Sequence, residues 1–387
     1  MSSSEDTGQL ASGADSTLAE TTAATAEEER VYVASQWRLV WWRFRRHKLA
    51  IVSAVVLGLF YAMAVFCEFV AVTDPDAFDP KYTYMPPQRI RFVDESGFRF
   101  RPFVYGTKQT IVNFDITYRE DPSKVHQLYL FVHGTPYKLW GLFDSDLHLV
   151  GLRDEGGTLF LLGTDRLGRD VLSRMIYGSR ISLSIGLVGV FVSLVLGVLI
   201  GGVSGYYGGF IDTIIQRVVE FIRCIPTIPL WMALSAALPL DWPPLRVYFG
   251  ITVVLSLVGW IGLARVVRGK FLSLREEDFV LAARIAGASE WRIITRHLVP
   301  SFTSHLIASL TLSLPNMIMG ETSLSFLGLG LRPPTISWGV LLQSAQQLSV
   351  VALSPWLMSP VVFIVLVMLA FNFVGDGLRD AADPYSR

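Results

Sequence analysis

Six stretches of this sequence are long and apolar enough to cross a bilayer, and no other feature constrains the fold as strongly. They run roughly over residues 49–72, 181–204, 214–240, 247–267, 302–326 and 356–374. A spanning helix needs about 20 mostly apolar residues. With 51% hydrophobic and only 17% charged residues, the chain is too apolar for an ordinary soluble domain. The expected fold is an all-α polytopic membrane protein with six transmembrane helices. The first run follows a long polar leader and lacks the short apolar core and small-residue cleavage site of a signal peptide, so it is expected to be retained.

Formal net charge is zero, so no bulk field draws the chain to nucleic acid. The charges are instead segregated. Arg38, Arg43, Arg45, Arg46 and Lys48 precede the first span; Arg265, Arg268, Lys270, Arg275, Arg284, Arg292 and Arg296 lie between the fourth and fifth. An even number of spans separates the two clusters, so both can face the cytoplasm, with both termini on that side. Arg166, Arg169, Arg174 and Arg180 dissent, because they precede span two on the expected outer side. Trp37, Trp41 and Trp42 among the first basic residues read as an interfacial anchor or as a partner-binding helix.

The organisation reads as four parts. Residues 1–36 are rich in Ser, Thr, Ala and Glu and are expected to be a disordered cytoplasmic segment. Residues 37–72 hold the interfacial helix and first span. Residues 73–160 form a polar insert outside the cytoplasm, expected to be small and β-rich: Arg89–Val93, Gly97–Phe100 and Leu128–Val132 look like strands, with Asp94-Glu95-Ser96-Gly97 as a hairpin turn. An extended loop draped over the spans is the alternative. Residues 161–387 hold the other five spans. In this part Thr164 or Asp165 is expected to cap a short helix with Leu167, Val171, Leu172 and Met175 on its apolar face.

No catalytic signature appears. Gly269-Lys270 is followed by Phe271 and lacks the upstream glycine of a phosphate loop, and the His, Cys and Ser residues fall in no metal or nucleophile motif. Cys67 and Cys224 lie in or beside apolar segments and suggest neither a disulfide nor a metal site. If this chain moves something uphill, the energy comes from another chain.

Between the fourth and fifth spans, residues 269–300 carry a structured elbow where a plain loop would suffice. Glu276, Glu277 and Asp278 suit the positive end of a first helix, and Arg284 suits its negative end. Gly287 supplies a left-handed stop. Ser289 can cap a second helix with Trp291, Ile294 and Leu298 on one side, closed near Pro300. The residues allow a docking surface or a plain amphipathic connector.

Ala282-Ala283, Gly287 and Pro300 keep the spacing of the Glu-Ala-Ala loop of ABC-importer permeases, with Leu281 and Val299 in place of the usual Glu and Leu. Arg284 and His297 resemble the dipeptide/oligopeptide branch. So do Leu162-Gly163-Thr164-Asp165, Gly168-Arg169-Asp170, Tyr177-Gly178-Ser179-Arg180, the run from Glu321 to Gly330, and Asp376-Gly377-Leu378-Arg379-Asp380. This resemblance covers nearly everything after Leu161. It implies a type I importer permease in the inner membrane, forming half of a pathway for peptides. It further implies a second homologous permease, two cytoplasmic ABC ATPases that hold the ATP and Mg, and an external substrate-binding protein. No cofactor and no enzyme activity are expected in this chain itself. Ala282, Ala283, Arg284, Gly287, Ser289 and Pro300 would then transmit ATPase motion. Importers for oligosaccharides, nickel or opine-like solutes share the pattern, and a non-transporting scaffold or receptor is the rival of another class. Glu321, Asn316 and Asn372 are the intramembrane polar candidates, read either as pathway or gate residues or as hydrogen bonds between helices.

Overall fold

The computed structural model describes residues 36–94, 97–112, 115–154 and 157–382. Nearly all of the segment expected to be disordered therefore lies outside the described residues, as do Glu95 and Ser96 of the expected hairpin turn. Helix α1 (Gln36–Arg46) leads into α2 (Lys48–Val65), where the His47 ring accepts the Ala50 N–H at 3.1 Å and caps the span. One further turn, α3 (Cys67–Val70), precedes four strands: β1 (Arg91–Asp94), β2 (Gly97–Val112), β3 (Asp115–Leu139) and β4 (Phe143–Leu152). Helices follow: α4 (Val171–Tyr207), α5 (Gly209–Cys224), α6 (Thr227–Ala236), α7 (Pro244–Leu274), α8 (Asp278–Ile285), α9 (Glu290–Ile293), α10 (Thr303–Phe326), α11 (Trp338–Gln343) and α12 (Pro360–Ala382).

Length and composition alone bear out four or five of the six expected spans. Among the described residues four helical segments qualify, Lys48–Val65, Val171–Tyr207, Pro244–Leu274 and Pro355–Ala382, or five if α5 and α6 count as one. The stretch expected at 214–240 is bent by 88° between α5 and α6. Pro226 sits at the bend; it has no N–H to give, and its ring would clash with a helical carbonyl four residues back. The stretch at 302–326 is a helix of 24 residues, but its Ser, Thr, Asn316 and Glu321 dilute its hydropathy.

Glycine spacing explains how the bundle closes. Gly197, Gly201 and Gly205 recur every four residues on the face of α4 that meets α7. A Cβ at Gly201 would strike the carbonyl oxygen of Ala264, and one at Gly205 would lie 2.7 Å from that of Arg268. The two backbones thus touch, as small residues permit in membrane helix pairs. Arg268 also donates twice to Asp212, at 2.6 and 2.5 Å, and ties α5 to the same pair. On the opposite side, α2, α10 and α12 share a core with Trp338, whose ring meets Phe60 and Phe363 edge-on.

Residues 91–152 form one antiparallel sheet in the order β1-β2-β3-β4. Strands β2 and β3 are much longer than the alternating stretches suggest, and β4 has no counterpart in that reading. The short helix expected near Thr164 is absent. Asp165 instead pins a tight turn, accepting the N–H groups of Leu167 and Arg169, and α4 starts only at Val171 with Asp170 as its cap. Three of the four dissenting arginines are spent here on partners. Arg169 pairs with Asp165 at 2.7 Å, Arg174 donates to the Pro75 carbonyl at 2.9 Å, and Arg180 grips Glu68 at 2.7 and 2.8 Å. Burial alone would raise the Glu68 carboxyl, but the Arg180 hydrogen bonds outweigh it and hold it below its ordinary range. The charge of these three is thus largely compensated.

Gly201→Val drives a branched side chain into the Ala264 backbone, where nothing can rotate away. Overpacking usually costs about 1–3 kcal/mol, and a rigid obstacle places this site at the upper end. The melting temperature of the purified chain in detergent is expected to fall by several degrees; an unchanged value would contradict the close α4–α7 approach.

Candidate functional site

The elbow is built from local signals that agree. Helix α8 ends in a Schellman arrangement: the Ala288 N–H reaches the Ala283 carbonyl at 3.0 Å, and the Gly287 N–H reaches that of Arg284 at 3.0 Å. Gly287 has φ +78°, and a Cβ there would meet no atom within 4 Å, so the demand for glycine comes from the backbone alone. Ser289 caps α9 by accepting the Arg292 N–H at 3.4 Å. Residues Ile294–Leu298 then widen into a π turn, and Pro300 lies in the short turn before α10.

That π turn changes which residues share a face. Trp291, Ile294 and Leu298 would align in a regular α-helix, but Ile293 and Leu298, five apart, are the buried pair. Trp291 instead points away and is 67% exposed. Val280, Ile293 and Leu298 pack into a cluster with Tyr206, Val267, Phe271 and Phe302 from the ends of α4, α7 and the start of α10. The Arg284 guanidinium lies 5.5 Å from the Tyr206 ring centre, and the Tyr207 hydroxyl donates to Glu290 at 2.8 Å. Anchored on one side, the elbow presents Phe279, Leu281, Ile285 and Trp291 on the other, with Ile285 88% exposed. Ala282 is exposed and Ala283 half-buried between these faces.

Glu321 is wholly buried. Ser325 and Ser337 donate to its Oε1 at 2.8 and 2.7 Å, and Ser182 to its Oε2 at 3.4 Å. Those hydroxyls in turn accept the backbone N–H groups of Leu331, Val340 and Trp338 at 3.0, 3.2 and 3.1 Å. Among the described residues no cation pairs with it. The carboxyl therefore joins α4, α10 and α11 through one polar knot, the arrangement expected of a hydrogen bond between helices.

Asn316 lies elsewhere. It lines an open groove of about 620 Å³ between α6, α7 and α10, together with Thr227, Trp231, Gly259, Gly262 and Ser313. Gly320 and Ser323 of α10 also face this groove, whereas Glu321 between them faces the polar knot. Asn372 is exposed on α12 and is not part of that lining. The three intramembrane candidates thus occupy three separate surroundings. Sequence reading missed Trp231 and Thr227, which follow the Pro226 bend, and the anchors Tyr206 and Tyr207; only their aromatic bulk hinted at a packing role.

The family model of binding-protein-dependent transport system inner membrane components matches residues 193–387, which hold the elbow, the groove and Glu321. The chain belongs to that family. It is accordingly a transport component of the membrane. A second model, the N-terminal TM domain of oligopeptide transport permease C, matches residues 35–87. The chain is 42% identical to a dipeptide transport system permease protein of Bacillus subtilis over 227 residues, 58% of this chain and 68% of that one. An oligopeptide transport system permease protein of Haemophilus influenzae is 38% identical over 246 residues, 63% and 76% of the two chains. A dipeptide transport system permease protein of Lactococcus lactis is 30% identical over 345 residues, 89% of each. Among solved structures, an inward-facing methionine ABC transporter aligns over 54% of this chain and 96% of its own at 18% identity, with a TM-score of 0.41, too loose to bear on the fold.

Glu321→Ala leaves the Ser325 and Ser337 hydroxyls buried without their acceptor, which costs about 1–3 kcal/mol for each stranded group. The purified variant is expected to melt well below the wild type, with Glu321→Gln in between because an amide oxygen still accepts. Wild-type stability of the alanine variant would show that the knot does not hold the helices.

Proposed function

We propose that this chain is a permease subunit of an ABC importer for peptides and forms half of the translocation pathway beside a second, related permease. The observation that carries this reading is the elbow: a rigid, buried anchor with an exposed apolar edge made by Leu281, Ile285 and Trp291. An exposed aromatic and branched aliphatic pair on a fixed support is the composition of a protein contact. Two cytoplasmic ATPases are its partners and bind the ATP and Mg; the chain itself hydrolyses nothing. An external binding protein delivers the cargo. The relatives named above are permeases for dipeptides and oligopeptides, which favours peptides over oligosaccharides, nickel or opine-like solutes.

Six crossings remain the reading of the topology, with the bent pair α5–α6 as the third and α10 as the fifth. α10 is long enough, and its polar side faces either the knot or the groove. The termini and the elbow are then cytoplasmic, and the sheet lies outside, where it is available to the binding protein or the partner permease. The elbow sits between α7 and α10, and these same helices line the groove. Movement imposed at Ile285 and Trp291 therefore reaches the groove through Phe271 and Phe302, whose rings meet edge-on at 6.0 Å. A rigid-body rocking of this pair against the partner permease would open the groove alternately to the two sides. Ala282, Ala283, Arg284, Gly287, Ser289 and Pro300 shape the lever, and Asn316 supplies a polar group to the pathway.

Gly287→Trp tests this directly. The backbone at φ +78° disfavours any L side chain by about 1–2 kcal/mol, and the indole would stand on the docking face. Peptide uptake into cells or vesicles is expected to be lost while the chain still inserts and the ATPases still hydrolyse ATP. Uptake at the wild-type level would refute the elbow's role.

A further inference from the structure

The β3–β4 hairpin turns back toward the end of α2. Along β4 the His148 ring bonds the Ala71 carbonyl at 2.8 Å, and at the hairpin tip the Trp140 indole N–H donates to the Val65 carbonyl at 2.8 Å. Contact with the chain that leaves α2 thus moves from Ala71 down to Val65, the last residue of the span, as the hairpin approaches its tip. The Trp140 ring also packs against Phe66, centre to centre at 5.7 Å.

The turn itself is made at a conformational cost. The Leu142 N–H closes onto the Leu139 carbonyl at 3.0 Å around Trp140 and Gly141, whose φ values are +54° and +72°. Positive φ at both central positions marks a type I′ turn, where Asn-Gly is the unstrained choice. A tryptophan in the left-handed region gives up about 1–2 kcal/mol. What it gains is a ring aimed at the end of the span. Beside it, Leu142 is 76% exposed and Phe143 is exposed as well, while Lys138 and Asp144 pair at 3.7 Å one step further from the tip. An apolar tip with a charged rim behind it is the profile of an interfacial anchor.

The patch continues the apolar stripe of α2. Val52, Val55, Leu59 and Phe66 are exposed at helical spacing along one side of that span, and Trp140 covers the end of the stripe. We infer that the β3–β4 tip is a lipid-binding element: Trp140, Leu142 and Phe143 enter the headgroup region of the leaflet at the Val65 end of α2. The sheet would then be fixed against the membrane at one corner and free to meet protein partners elsewhere. This inference goes beyond the transport reading and rests only on α2 crossing the bilayer.

A nitroxide label on Leu142→Cys tests it, in a Cys224→Ser background that removes the exposed native thiol and leaves the buried Cys67. The full transporter is reconstituted in vesicles of phosphatidylethanolamine and phosphatidylglycerol, and the label's collision rates with oxygen and with a water-soluble nickel chelate are compared. The label is expected to lie about 5–10 Å below the headgroup surface, rich in oxygen contact and poor in chelate contact. A matched label on Phe100→Cys, at a fully exposed position of β2, should show high chelate contact. High chelate contact at Leu142 would mean that the tip is in water, and low contact with both reagents would mean that protein covers it; either result overturns the inference.

Discussion

Glycine at 197, 201 and 205 lets the backbone of α4 rest directly on that of α7, and most of the functional geometry follows from this contact. The far end of α7 carries Phe271 into the cluster that anchors the elbow, and its middle supplies Gly259 and Gly262 to the groove. A larger residue at the α4 face would push α7 outward and shift both. In a bilayer the lipid tails are as apolar as the side chains, so close packing and satisfied polar groups must hold helices together. The Arg268–Asp212 pair and the Glu321 knot meet the second requirement toward opposite ends of α4.

Much of the elbow was legible in the sequence because its signals are local. A glycine with a fixed positive φ, a serine cap and an acidic first turn act within a few residues of each other, and each was placed correctly. The orientation of Trp291 was not legible, because a π turn at Ile294–Leu298 has no sequence signature of its own and moves the buried face by one residue. Glu321 was legible as unusual but not as a knot, since Ser182 lies 139 residues away and nothing in its neighbourhood announces it. The bend at Pro226 was written in the sequence and was masked by averaging hydropathy over a long window. In the insert, Pro102, Gly106 and Pro122 interrupt the alternation, so the long ribbon of β2 and β3 read as short pieces. The family blocks were read correctly because they are continuous motifs.

The paired arginines at the start of α4 reconcile the one conflict in the charge pattern. Arg169 holds the turn before α4 through Asp165, while Arg174 and Arg180 fasten the start of α4 to the segment leaving α2 through the Pro75 carbonyl and Glu68. Their role is to position the sheet on the bundle. The basic residues before α2 and around the elbow are more numerous and agree with each other, so they remain the better guide to sidedness. Taken together, one face of the molecule carries the sheet and the pinned turn, and the other carries the anchored elbow.

The central claim is that the exposed edge of the elbow touches an ATPase. A photo-crosslinking amino acid at Ile285, activated in native membranes, reads that contact at a single side chain. The account predicts an adduct with an ABC ATPase that is absent when the same group stands at Phe100. An Ile285 adduct only with lipid, or with an unrelated protein, would contradict it.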